Sequence, residues 1–241
     1  MRRLFLHRSS AAAVISLIAL FFAVGGTTVA ATGASAAVTA ASGWSIQPTP
    51  NPTGGSDVVL NGVSCASASA CTAVGGSSNG TTMVTLAERW NGTTWSIQHT
   101  PNPTGGSLII LNGASCASAS ACTAVGTYSN GTMNVMLAER WNGTRWSIQH
   151  PSSPSGSQAS TLAGVSCVSA TACTAVGNYN NGTTRVALAE GWNGTKWSIQ
   201  TTPNPAGGSN SMLNGVSCAS ATACTAVGGS SNGTLAEGWN G

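Results

Sequence analysis

The chain has 241 residues, of which only 5% are charged, and a formal net charge of +3 at pH 7. Arg2, Arg3 and Arg8 account for that excess; beyond them, five bases (Arg89, Arg140, Arg145, Arg185, Lys196) balance five acids (Asp57, Glu88, Glu139, Glu190, Glu237). So sparse and even a charge set argues against nucleic acid or an anionic membrane surface as partner.

The first element in chain order reads as a leader. The three arginines precede the apolar run Ala11 to Val24, and Ala34-Ser35-Ala36 supplies a small-residue cleavage site, so residues 1–36 are expected to be a secretory signal peptide. The run is shorter than the ~20 residues that span a bilayer, so no membrane association is expected after cleavage. Arg2-Arg3 leaves the Sec and twin-arginine export routes both open. All three Phe fall in the leader, so Val, Leu, Ile, Ala and eight Trp must build the core of residues 37–241.

That remainder is one unit written four times. Trp44, Trp95, Trp146 and Trp197 each open W-S-I-Q at a spacing of 51 residues, and L-N-G-V-S-C-A-S-A-S-A-C-T-A-V-G from Leu60 returns from Leu111, Leu162 and Leu213 with small changes. Within the first unit, Val58–Cys65, Cys71–Gly76, Thr81–Trp90 and Trp95–Gln98 read as strands a to d, because they are rich in β-branched or small residues and too interrupted by Gly for helix. Ala66–Ala70 is the expected a–b loop. Asn79-Gly80 and Asn91-Gly92 predict type I′ turns at b–c and c–d. Pro48–Ser56, with three Pro, predicts a crossing to a new sheet rather than a tight hairpin.

A four-stranded meander plus a crossing loop in about fifty residues describes a β-propeller blade. The expected fold is therefore all-β, a four-bladed propeller of antiparallel meander blades. Trp44–Gln47, a d-type stretch with no a, b or c before it, is expected to pair beside Thr234–Trp239 and close the ring. An open fragment of a longer array and half of an eight-bladed dimer are the alternatives. Thr72-Ala73-Val74-Gly75-Gly76, Trp90, Asn91-Gly92 and Trp95 follow the order of kelch repeats, so the chain resembles a kelch-like propeller family. In its Cys-bearing form it is similar to repeats of secreted actinobacterial proteins of unassigned role.

Each unit holds one Cys pair, and both members lie at facing ends of strands a and b. Opposed residues of a hairpin approach within disulfide range and export supplies an oxidising setting, so Cys65–Cys71, Cys116–Cys122, Cys167–Cys173 and Cys218–Cys224 are expected to be disulfides. Two Cys per unit at this spacing do not suit zinc, and no metal or other cofactor is expected. Glu88, Glu139, Glu190 and Glu237 recur in L-A-E-(R/G)-W; each shares a strand face with Leu and Trp and is expected at a sheet interface, accepting bonds from backbone or an indole N–H. No second acid accompanies them, and no G-x-S-x-G elbow or triad occurs, so no enzyme is expected. The seven N-G-T triplets read as turns and also match the glycosylation sequon.

Variation is concentrated at one end of the repeats. Tyr128 and Tyr179 replace Ser in the b–c region of units two and three, and His99 and His150 enter the neighbouring crossing loops. Aromatic and imidazole groups on a nearly uncharged surface predict an extracellular binding module for an uncharged glycan or cell-envelope component, with Tyr128, Tyr179, His99 and His150 as ligand contacts. A purely structural repeat scaffold is the alternative.

Overall fold

Every repeat folds into strands where β-branched and small residues run between turn signals, and the computed structural model describes them over residues 43–206 and 209–241. The predicted leader lies outside the described residues. The β body occupies Ile46–Gly241, and no helix occurs among the described residues. The first sheet is β1 (Ser56–Ser67), β2 (Ala70–Ser78), β3 (Met83–Trp90) and β4 (Trp95–Gln98). The second is β5 (Ser107–Ser118), β6 (Ala121–Ser129), β7 (Asn134–Trp141) and β8 (Trp146–Gln149). The third is β9 (Ala159–Ser169), β10 (Ala172–Asn180), β11 (Arg185–Trp192) and β12 (Trp197–Gln200). The fourth has only β13 (Met212–Ser220), β14 (Ala223–Ser230) and β15 (Gly233–Trp239). All are antiparallel meanders in chain order, a propeller-like arrangement.

Two turns differ from expectation. Strands a and b are longer than predicted and leave a two-residue turn, Ala68-Ser69, because Ser67 pairs with Ala70 and the Ser67 hydroxyl accepts from the Ser69 N–H. The Asn-Gly turns are not type I′. Gly80 and Gly92 have positive φ, but Asn79 and Asn91 do not; their side chains instead accept two backbone N–H groups each, Asn79 Oδ1 from Thr81 and Thr82 at 3.0 Å. Asparagine closes a four-residue loop by mimicking a backbone acceptor.

The disulfides form as expected. Cys65–Cys71, Cys116–Cys122, Cys167–Cys173 and Cys218–Cys224 join directly opposed residues with Cα atoms 3.9–4.0 Å apart, a state that fits an oxidising compartment. Non-reducing peptide mapping is expected to recover these four pairs and no thiol; pairing between repeats would refute the hairpin register.

Three apolar clusters lie between consecutive sheets. Val74 and Ala87 meet Leu111, Leu137 and Trp141; Val125 and Ala138 meet Leu162, Leu188 and Trp192; Val176 and Ala189 meet Leu213 and Ala226. The b strands of the first three sheets are buried without alternation, over Cys71–Ser77, Cys122–Gly126 and Cys173–Gly177, each flanked within its sheet by strands a and c. The a strands approach most closely: a Cβ on Gly62 would lie 2.9 Å from Gly113 Cα, and one on Gly164 would lie 3.0 Å from Asn214 O. Only glycine permits that backbone contact. Asn61 and Asn112 lock it by donating across to Leu111 O and Leu162 O.

The expected closing pairing is not formed. Residues 44–47 carry no strand, Ile46 is 97% exposed, and β15 remains the last strand of its sheet. Gln47 instead accepts a hydrogen bond from Trp95 Nε1 in the first sheet. Gln47 and Thr49 are held at the first sheet, where they line a cleft with Leu60, Ala73 and Trp95, and so do not reach β15. The end sheets keep open faces. Leu60 is 38% exposed where Leu111, Leu162 and Leu213 are fully buried, and Val227 is 52% exposed where Val74 and Val125 are fully buried.

Candidate functional site

Tyr128 and Tyr179 occupy one register position on successive sheets, opposite Val135 and Val186. Each sits next to the b–c hairpin. The far end of the crossing loop meets that same end: Leu108 N donates to Thr82 Oγ1 at 3.1 Å, and Gln158 N donates to Asn180 O at 2.8 Å. The tyrosines are not fully projecting loop residues, since each is partly buried and packs on a core cluster. No hydrogen bond among the described residues engages either phenol hydroxyl.

The histidines follow the d strands. Strand d is only four residues long and Gln98 pairs with Ala87, midway along β3, so His99 leaves the sheet there and His150 does the same after Gln149. Both are exposed, and no described contact joins them to a tyrosine.

Glu88, Glu139 and Glu190 are buried between sheets, as the strand pattern predicts, whereas Glu237 on the open fourth sheet is only half-buried. Glu88, Glu139 and Glu190 are at most 1% exposed. Only Glu190 has a backbone donor, Ser152 N at 2.9 Å from its Oε2. Ser152 is the reason: the equivalent residues Pro50, Pro101 and Pro203 have no N–H to give. The expected indole bond is not formed; Nε1 of Trp141, Trp146, Trp192 and Trp197 is buried without a partner, as are both oxygens of Glu139. The hydroxyl of Thr85, which faces Glu139, donates to Thr100 Oγ1 at 2.9 Å. Burial therefore pushes the Glu139 carboxyl up to about 8, with Thr85 pulling weakly the other way, and that of Glu190 up to about 7 against the Ser152 N–H. No group of three or more metal-ligating side chains occurs among the described residues.

Sequence reasoning passed over a second set of contacts. Arg89 and Arg140 cross from one sheet to the next, stacking over Trp141 and Trp192 at 4.8 and 4.6 Å. Their signal was the change from L-A-E-R-W in the first two repeats to L-A-E-G-W in the last two, read only for its Glu. A cleft of about 340 Å³ lies where Gly191 replaces the arginine, and another of about 430 Å³ lies beside Trp90 and Trp95 at the open first sheet. None of Tyr128, Tyr179, His99 and His150 lines either. No protein-family model matches the chain, and no curated protein is found similar to it.

Proposed function

We propose that the chain is a secreted, non-catalytic binding module with kelch-like, propeller-type blades, and that the hairpin end bearing Tyr128 and Tyr179 takes an uncharged glycan or similar cell-envelope component. The supporting observation is the equivalence of the two tyrosines. They repeat at one position on adjacent sheets, keep part of each ring in solvent, and leave both hydroxyls unpaired within the protein. Rings so placed offer an apolar face to sugar C–H groups and a polar rim to sugar hydroxyls. The near absence of charge suits a neutral ligand better than a phosphate or a cation. His99 and His150, exposed at the start of the crossing loops, are further candidate contacts.

A glycan-array screen of the mature chain tests the reading. Because both rings also support the core, leucine is the informative replacement: Tyr128→Leu with Tyr179→Leu is expected to weaken any glycan binding about tenfold or more while the protein stays folded. Undiminished binding by the double variant would remove this end from consideration, and an array without a hit would favour the purely structural scaffold.

A further inference from the structure

We propose that the cleft between the third and fourth sheets is a receptor site for a guanidinium group, the side chain of an arginine presented by another polypeptide. The chain supplies its own precedents. At the first interface Arg89, opposite Thr72 and Ser96, donates from Nη2 to Ala119 O at 2.7 Å and stacks on Trp141. At the second, Arg140 does the same with Ala170 O and Trp192. Gly191 holds that register position at the third, opposite Thr174 and Ser198, so no side chain crosses there.

The receiving side persists. Ala221 is the counterpart of Ala119 and Ala170, and it lines the cleft with Gly191, Ser198, Gln200 and Ser220. Trp239, the counterpart of the stacking indoles, lines an adjoining cleft that shares Thr174 and Gln200 with the first. Gln200 has also changed posture. Gln98 and Gln149 donate to the Ser96 and Ser147 hydroxyls at 3.4 and 3.2 Å, whereas a Cβ at Gly191 would meet Gln200 Nε2 at 2.9 Å. The amide thus lies over the glycine, and its Oε1 is buried without a partner. Glu237, lining the adjoining cleft, likewise has Oε1 buried and unpaired.

What remains is an aromatic ring beside two buried acceptors, Gln200 Oε1 and Glu237 Oε1, that no donor among the described residues meets. A guanidinium satisfies both at once, being planar, rich in N–H groups and weakly hydrated; an ammonium is compact and strongly hydrated, and loses more on entering. The site lies at the disulfide-hairpin end, remote in register from Tyr128 and Tyr179, and does not depend on the glycan reading.

An NMR titration of the mature chain with N-acetyl-arginine amide is expected to shift the Trp239 indole and Gln200 amide signals saturably, while N-acetyl-lysine amide leaves them in place. Ethylguanidinium is expected to move the same signals; a response to the arginine derivative without it would place recognition on the backbone amides and overturn the proposal. Gly191→Arg is expected to abolish the response, since only the flexible end of Gln200 stands in its way. Should that variant not fold, Gln200→Ala is expected to weaken binding about fivefold, the worth of one hydrogen bond. Equal shifts with lysine, no saturable shift, or an unaltered response in the variant that folds would each refute the site.

Discussion

Unfolding free energy is expected to fall as pH rises from 4.5 to about 8, because the folded chain holds protons on buried carboxyls that the unfolded chain releases. Glu139 and Glu190 have folded pKa values above their ordinary ones, so the unfolded state binds fewer protons through this window and stability declines with pH. Their contribution is intact below 4.5 and lost by about 7 for Glu190 and about 8 for Glu139. Each group adds a slope of about 1.4 kcal/mol per pH unit, on the order of 5 kcal/mol in all for Glu139. Glu139→Gln keeps the shape and stays neutral. The variant is expected to lose that part of the slope and to be more stable than the parent in alkaline solution. Denaturant titrations at stepped pH under non-reducing conditions measure both; a flat profile, or a glutamine variant weaker at every pH, would mean that the carboxyl is ionised and paired.

The same acids show what sequence could and could not convey. Strand alternation placed Glu139 on a face with Leu137 and Trp141, and burial followed. Its missing partner turned on Pro101, a residue in another repeat's loop that supplies no N–H where Ser152 does. The disulfides were legible because a hairpin fixes its own register. Ring closure was not, since it depends on packing between repeats, where Gly62, Gly113 and Gly164 bring neighbouring backbones into contact. The guanidinium cleft was written in Gly191 but could be read only once Arg89 and Arg140 were seen to cross. For the candidate ligand end, the sequence placed Tyr128 and Tyr179 at equivalent positions. It did not show that the d strands are four residues long, so that His99 and His150 leave the sheet midway along strand c.

Gly126→Ala is expected to cost at least about 3 kcal/mol, more than any nearby exposed substitution, although the change adds a single methyl group. Gly126 pairs with Leu111 at a bulge where the register shifts before Gly113, and the bulge folds strand a over strand b. A Cβ at Gly126 would fall onto the carbonyl oxygen of Ile110 and lie 2.8 Å from Leu111 Cα. The obstruction is backbone, so relief requires opening the bulge and withdrawing Leu111, a fully buried side chain, from the cluster between the first two sheets. Gly75, Gly177 and Gly228 face Val59, Thr161 and Met212 carbonyls in the same way. The following position is different. Gly76, Thr127, Asn178 and Gly229 stand there, and a Cβ at Gly229 has no heavy atom nearer than 3.6 Å. At the second position Thr127 and Asn178 carry side chains and Gly229 has room for one, while at Gly76 a Cβ would lie 3.1 Å from Met83 Cε. In all four repeats, therefore, only the first glycine meets a backbone obstruction under 3 Å. Gly229→Ala is expected to change stability by less than about 0.5 kcal/mol, serving as the control in the same thermal and denaturant measurements. Comparable losses in both variants would show that the two glycines act through backbone entropy and that the bulge imposes no steric demand.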